Sequence, residues 1–128
     1  MRNSFLKIIK TIDNLSNKNK IPVLYYHRIN NLHHSIDPSP SVDLFHDQIK
    51  FLALRGYYFA STTEIINWCK NQTILPPKTI GITFDDGYED NYTNAFPILK
   101  KFNAKATIFV IYNYLGGTKY FSYNREKP

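Results

Sequence analysis

Thr79-Ile80-Gly81-Ile82-Thr83-Phe84-Asp85-Asp86-Gly87 is an apolar, β-branched run that ends in two adjacent acids and a glycine. Thr79 to Phe84 has the composition of a strand, so the acids fall at its C-terminal end. Gly87 suits the bend by which the backbone leaves that strand. Two like charges side by side raise each other's pKa unless a cation or hydrogen-bond donors compensate. A divalent metal is one compensation: on an irregular turn one carboxylate can face the metal and its neighbour the metal-bound water. The other is local, since an Asp near a helix start caps it. As a bare pair Asp85 and Asp86 fit the cap better, so the flanking sequence has to decide.

Downstream, Tyr92, Ala95, Phe96, Leu99 and Phe102 share one side of a helix expected over about Asn91 to Phe102. Pro97 within it implies either a fresh helix start or a kink. Ala104 to Tyr112 reads as another buried strand, and from Gly116 the pattern is lost, ending in the polar stretch Tyr123 to Pro128. Upstream, Pro76 and Pro77 punctuate a connection, and Ser61 with Glu64 forms an S-x-x-E capping box that starts a helix at about Thr62, running to near Asn71. Tyr57 to Ala60 is a short strand. Leu44, Phe45, Ile49, Leu52 and Ala53 mark a helix over Asp43 to Arg55, stopped by Gly56. Asn30 to Ser41, with two prolines and two histidines, reads as a surface excursion. Ile21 to Ile29 is apolar on both faces, as in a buried parallel strand. Ahead of the polar linker Ser16 to Lys20, residues Phe5, Ile8, Ile9, Ile12 and Leu15 describe an amphipathic helix, expected to dock on the domain rather than on a membrane. Strands and helices alternate, which implies an α/β fold with right-handed crossovers and a parallel sheet.

The bulk properties narrow the classes. The chain has 128 residues, short against the about 250 of a closed (β/α)-barrel. Its net charge of +6 comes from dispersed lysines, not from a cluster on one face, so nucleic acid is not expected as a partner. No apolar run approaches the roughly 20 residues of a transmembrane helix, and no signal-peptide stretch opens the chain; the default location is the cytoplasm. The lone Cys69 excludes an internal disulfide and reads as a small buried hydrophobe on a helix.

The stretch from Thr79 through Tyr88, with the Pro97 helix and the strand from Ala104 to Val110, resembles the first part of the polysaccharide deacetylase family, also called NodB-homology or carbohydrate esterase family 4 proteins. That family's first motif reads T-F-D-D-G, as at Thr83 to Gly87. The resemblance spans roughly Ile21 to Gly117. It implies a partial, distorted (β/α)-barrel of the NodB type with parallel strands, truncated after about half the barrel. The chain then divides into 1–20 (helix and linker), 21–117 (the first part of the deacetylase domain) and 118–128 (an irregular tail). It also implies a catalytic base at Asp85, a metal ligand at Asp86 and a divalent metal, zinc or similar. His27, in Leu24-Tyr25-Tyr26-His27-Arg28, resembles a Tyr-His segment of the family's first strand. It is a candidate active-site residue, with a hydrogen-bonded strand-end or core histidine as the equal alternative. His33, His34 and His46 read as solvated.

The implied activity is metal-dependent hydrolysis of N-acetyl groups on a polysaccharide, with the glycan as partner. The family's second motif, H-S/T-x-x-H, supplies two more ligands, and no H-x-x-x-H occurs in these 128 residues. The ligand set is therefore incomplete, because catalytic sites of this kind need about three protein ligands. The alternative is a catalytically inactive remnant or glycan-binding module, for which the 10 tyrosines and 9 phenylalanines offer stacking surfaces.

Overall fold

The computed structural model describes residues 10–12, 14, 20–32 and 39–115. Within them four strands alternate with helices: β1 (Val23–Tyr26), α1 (Val42–Leu54), β2 (Tyr58–Ala60), α2 (Thr62–Cys69), β3 (Thr79–Asp86), a π-helical turn (Asn91–Ala95), α3 (Phe96–Lys101) and β4 (Thr107–Val110). A 3-10 turn, Tyr112–Tyr114, follows. All strand pairings are parallel, as the alternation predicts. β3 is the hub. Val23↔Gly81 and Tyr26↔Phe84 bound its pairing with β1, while Ala60↔Gly81 and Thr83↔Thr107 show that β2 and then β4 share the opposite edge.

One sheet face makes the core. Ile80, Ile82 and Phe84 alternate along β3 with at most 1 % exposure and pack with Phe45, Ile49 and Leu52 of α1 and Ile98 and Leu99 of α3. Phe45 meets both Tyr26 and Phe84 edge to face at 5.1 and 5.9 Å, the arrangement that ring quadrupoles favour. On the other face, a Cβ on Gly81 would stand 2.7 Å from Cδ1 of Ile65, so α2 packs there against a bare backbone and a side chain would push the Ile65 tip aside.

The expected caps form. Ser61 Oγ accepts from the Glu64 amide and the Glu64 carboxylate accepts from the Ser61 amide, closing the capping box. Gly56 ends α1 at φ +75, where other residues are strained. Pro97 brings no break and fresh start: residues 89–101 are helical without interruption, and Pro97 lies in the first turn of α3, directly after the π-helical turn. Because Pro97 cannot donate to the carbonyl four residues back, the preceding turn widens, and the Phe96 amide donates to Asn91 five residues back.

Four expectations need correction. β1 is half the anticipated length and half-buried on one face only, with Tyr25 70 % exposed, because among the described residues no helix covers that side of it. β4, expected to be buried, exposes Ile108, Phe109 and Val110. Tyr92 and Phe96 stack on each other in the open, while Ala95, Ile98 and Leu99 take the core side. Cys69 is exposed, because it ends a helix that buries none of its residues fully. Of the expected N-terminal helix, residues 10–12 and 14 are described and helical, and Ile12 is buried in the core. The tail 118–128 lies outside the described residues.

Candidate active site

Both acids belong to β3, not to the helix behind it. The ladder to β4 continues through Asp85↔Phe109 and Asp86↔Val110, and Glu89 and Asp90 are already helical, so Tyr88 is the residue ahead of that helix. The capping alternative therefore does not hold. With Phe84 in the core, strand alternation sends Asp85 to the opposite, open face, the side of Tyr25 and Thr83. Asp86 then turns the chain at φ +69 and Gly87 continues the turn at φ +73. Asp is among the few residues that tolerate this left-handed region. A Cβ at Gly87 would also lie 2.9 Å from Cγ1 of Val110, so glycine is required there twice over.

His27 follows Tyr26, whose partner in the ladder is Phe84, so one step further along brings His27 level with Asp85. Its residue is exposed and its ring meets the edge of Tyr25 at 6.2 Å, which rules out a core histidine. Strand register thus places Asp85, Asp86 and His27 at the same C-terminal end of the sheet, the end where parallel α/β folds build their sites.

Three residues unnoticed in the sequence hold that end together. Asp90 accepts from Arg28 Nε at 3.1 Å, from the Ile29 amide at 3.2 Å and from Asn30 Nδ2 at 3.2 Å. Asn91 Nδ2 donates to the His27 carbonyl at 2.8 Å, and Asn94 Nδ2 to the Ile29 carbonyl at 2.7 Å. The Arg28 guanidinium also lies over the Tyr88 ring, 4.9 Å from its centre. The available signal was a run of acid and amide side chains on a helix that otherwise faces a core.

Charged groups elsewhere serve the scaffold. Glu64 takes a proton only near pH 2, because hydrogen bonds from Lys105, Tyr58 and Ser61 favour its carboxylate, and the partnership in turn raises the Lys105 pKa. Lys105 precedes β4, so this ion pair sits at the far end of the β3–β4 ladder from Asp86. Burial pushes the Tyr26 hydroxyl far up, and it donates to Gln48 Oε1. His46 is half-buried, not fully solvated: its ring lies 5.4 Å from that of Phe102 and its Nδ1 is 3.3 Å from Asp47. His33 and His34 lie outside the described residues. Among the described residues no three His, Cys, Asp or Glu side chains are grouped to hold a metal, and no helix is long and apolar enough to cross a membrane.

Comparison with known proteins bears on the fold and the family. The sequence model of a family described as polysaccharide deacetylase matches residues 72–122. YxkH of Bacillus subtilis is 37% identical over 97 residues, 76% of this chain and 34% of that protein. The poly-beta-1,6-N-acetyl-D-glucosamine N-deacetylase of Staphylococcus epidermidis is 36% identical over 80 residues, 62% of this chain and 27% of that protein. Among solved structures, the Streptococcus pyogenes deacetylase PplD, in complex with acetate, superposes with a TM-score of 0.66 at 38% identity, covering 71% of this chain and 42% of its own. IcaB from Ammonifex degensii gives 0.63 at 32% identity, with 70% and 37% covered. The chain spans about a third of the length of the curated relatives it matches.

Proposed function

We infer a function from one premise: the chain belongs to the polysaccharide deacetylase family, as part of that family's domain. On that premise it contributes the carboxylate half of a site that hydrolyses N-acetyl groups on a polysaccharide. The observation that carries this reading is the pair Asp85 and Asp86 at the C-terminal end of the central strand, one facing the open side of the sheet and the other held in a left-handed turn.

The family is generally metal-dependent. The described residues do not fit a metal by themselves, since they offer Asp86, with His27 one strand away, and no set of three. What we assign to this chain is therefore confined to its own side chains. Asp85 takes the proton of the water that attacks the acetyl carbonyl, as a positioned carboxylate base does. Asp86 is the one ligand the chain brings toward zinc or a similar divalent ion. His27 supplies a second polar group at the height of Asp85. The staphylococcal relative is named for an N-acetylglucosamine polymer, and an N-acetylhexosamine polymer is the substrate class we assign.

Acetate release from an N-acetylglucosamine oligomer with added zinc or cobalt tests the reading. The chain alone is expected to turn over little or nothing; metal-dependent binding of the oligomer that is lost in Asp86→Ala would favour the deacetylase reading. Robust turnover abolished by Asp85→Asn would show that the site is complete within these residues. A second reading, a glycan-binding module without catalysis, draws on the exposed Tyr92 and Phe96 rings, stacked at 5.6 Å. Metal-independent binding that survives Asp86→Ala and falls in Tyr92→Ala would select it.

A further inference from the structure

The segment 27–30 leaves β1 without regular structure, and an irregular backbone of this kind usually satisfies its polar groups with water. Here the first residues of the helix that follows β3 do so instead. One carboxylate, Asp90, gathers the Arg28 side chain, the Ile29 amide and the Asn30 amide group, and Asn91 Nδ2 adds a fourth contact at 3.3 Å. Asn91 and Asn94 then take the carbonyls of His27 and Ile29. Every residue from 27 to 30 is tied to 90, 91 or 94 across at least 60 positions of sequence. The clamp bonds His27 at its backbone carbonyl, and the ring's contact is with Tyr25. The clamp starts four residues after Asp86 on the same short segment, so the His27 loop is bonded to the stretch that carries the acids. The Asp90 side chain is 11 % exposed, and charge-assisted bonds of this kind are strong where water is scarce.

We propose that Asp90, with Asn91 and Asn94, is a positioning residue: it sets the His27 ring against Asp85 and Asp86. This rests on the reading of those two acids as site residues. A purely stabilising role would lower the unfolding temperature of a variant and leave His27 in place in the molecules that remain folded.

The test is NMR of the labelled chain with and without Mn2+, in Asp90→Ala and in the milder Asn94→Ala, which removes only the Ile29 carbonyl bond. Without metal, Tyr25 shifts the His27 ring protons, a contribution measured as the difference from Tyr25→Leu. We expect that contribution to be lost in Asp90→Ala and reduced in Asn94→Ala, while the Phe84 and Ile82 core signals stay put. With Mn2+, the unaltered chain should show broadening of both the His27 and Phe109 rings, and Asp90→Ala should lose the first and keep the second. A folded variant whose His27 shift is unchanged overturns the proposal, and if Asp90→Ala does not fold, the Asn94→Ala shift decides alone. Mn2+ that broadens neither ring in the unaltered chain refutes the metal-site reading instead, and the metal-free shifts still decide the clamp.

Discussion

β3 and β4 are neighbours with similar residues and opposite surroundings. Ile82 and Phe84 of β3 are 1 % exposed, whereas Ile108, Phe109 and Val110 of β4 are about half exposed. β3 has partners on both edges, α1 and α3 over one face and Ile65 of α2 against Gly81 on the other. β4 is paired only with β3 among the described residues, and an open groove of about 420 Å3, lined by Phe96, Leu99, Ala106 and Ile108, runs beside it. Burial is thus conferred by neighbours, not by the composition of a strand.

Removing the Phe84 ring is the hardest blow to that contrast. Phe84→Ala empties a site shared with Phe45 and Tyr26 and should cost about 3–5 kcal/mol in urea unfolding. A loss below about 1 kcal/mol would mean that β3 is no more a core strand than β4. Next comes Gly87→Val, which meets Val110 Cγ1 and a φ of +73 together; it should cost roughly 1–3 kcal/mol. The double variant with Val110→Ala should recover the steric part and leave the backbone part, which shows how firmly β4 is held at its one paired edge.

The Glu64–Lys105 pair pins the start of β4 to α2. A carboxylate whose folded pKa lies near 2, below its ordinary 4.5, adds stability that is fully present above about pH 4.5 and is lost as pH falls through about 2. Acid unfolding of Glu64→Gln should lack that part of the pH dependence, and an unchanged acid profile would remove the pin. The smallest effect is expected at Phe109→Ser, within about 0.5 kcal/mol, as for an exposed side chain. A loss comparable to that of Phe84→Ala would show that β4 is covered in solution.

The order of elements was legible because it depends on local signals: the β-branched run of β3, the Ser61 capping box, Gly56 and Pro97. The location of the acids was legible for the same reason, since a strand followed by Gly87 places them at its end. The exposure of β4 was not, because Thr107 to Val110 has the residues of a covered strand and says nothing of what lies beside it. Nor was the Asp90 clamp, whose bonds join side chains to backbone across 60 residues with no periodicity to mark them. For His27, exposure removes the core form of the alternative and leaves a strand-end histidine beside the active-site reading, a choice the sequence alone could not narrow.

The left-handed turn at Asp86 has a practical consequence. Asparagine shares the tolerance of aspartate for positive φ, so Asp86→Asn keeps the backbone path and the side-chain outline while deleting the charge. Alanine at the same position changes both. The asparagine variant is therefore the substitution that separates what residue 86 does as an anion from what it does as a corner in the chain.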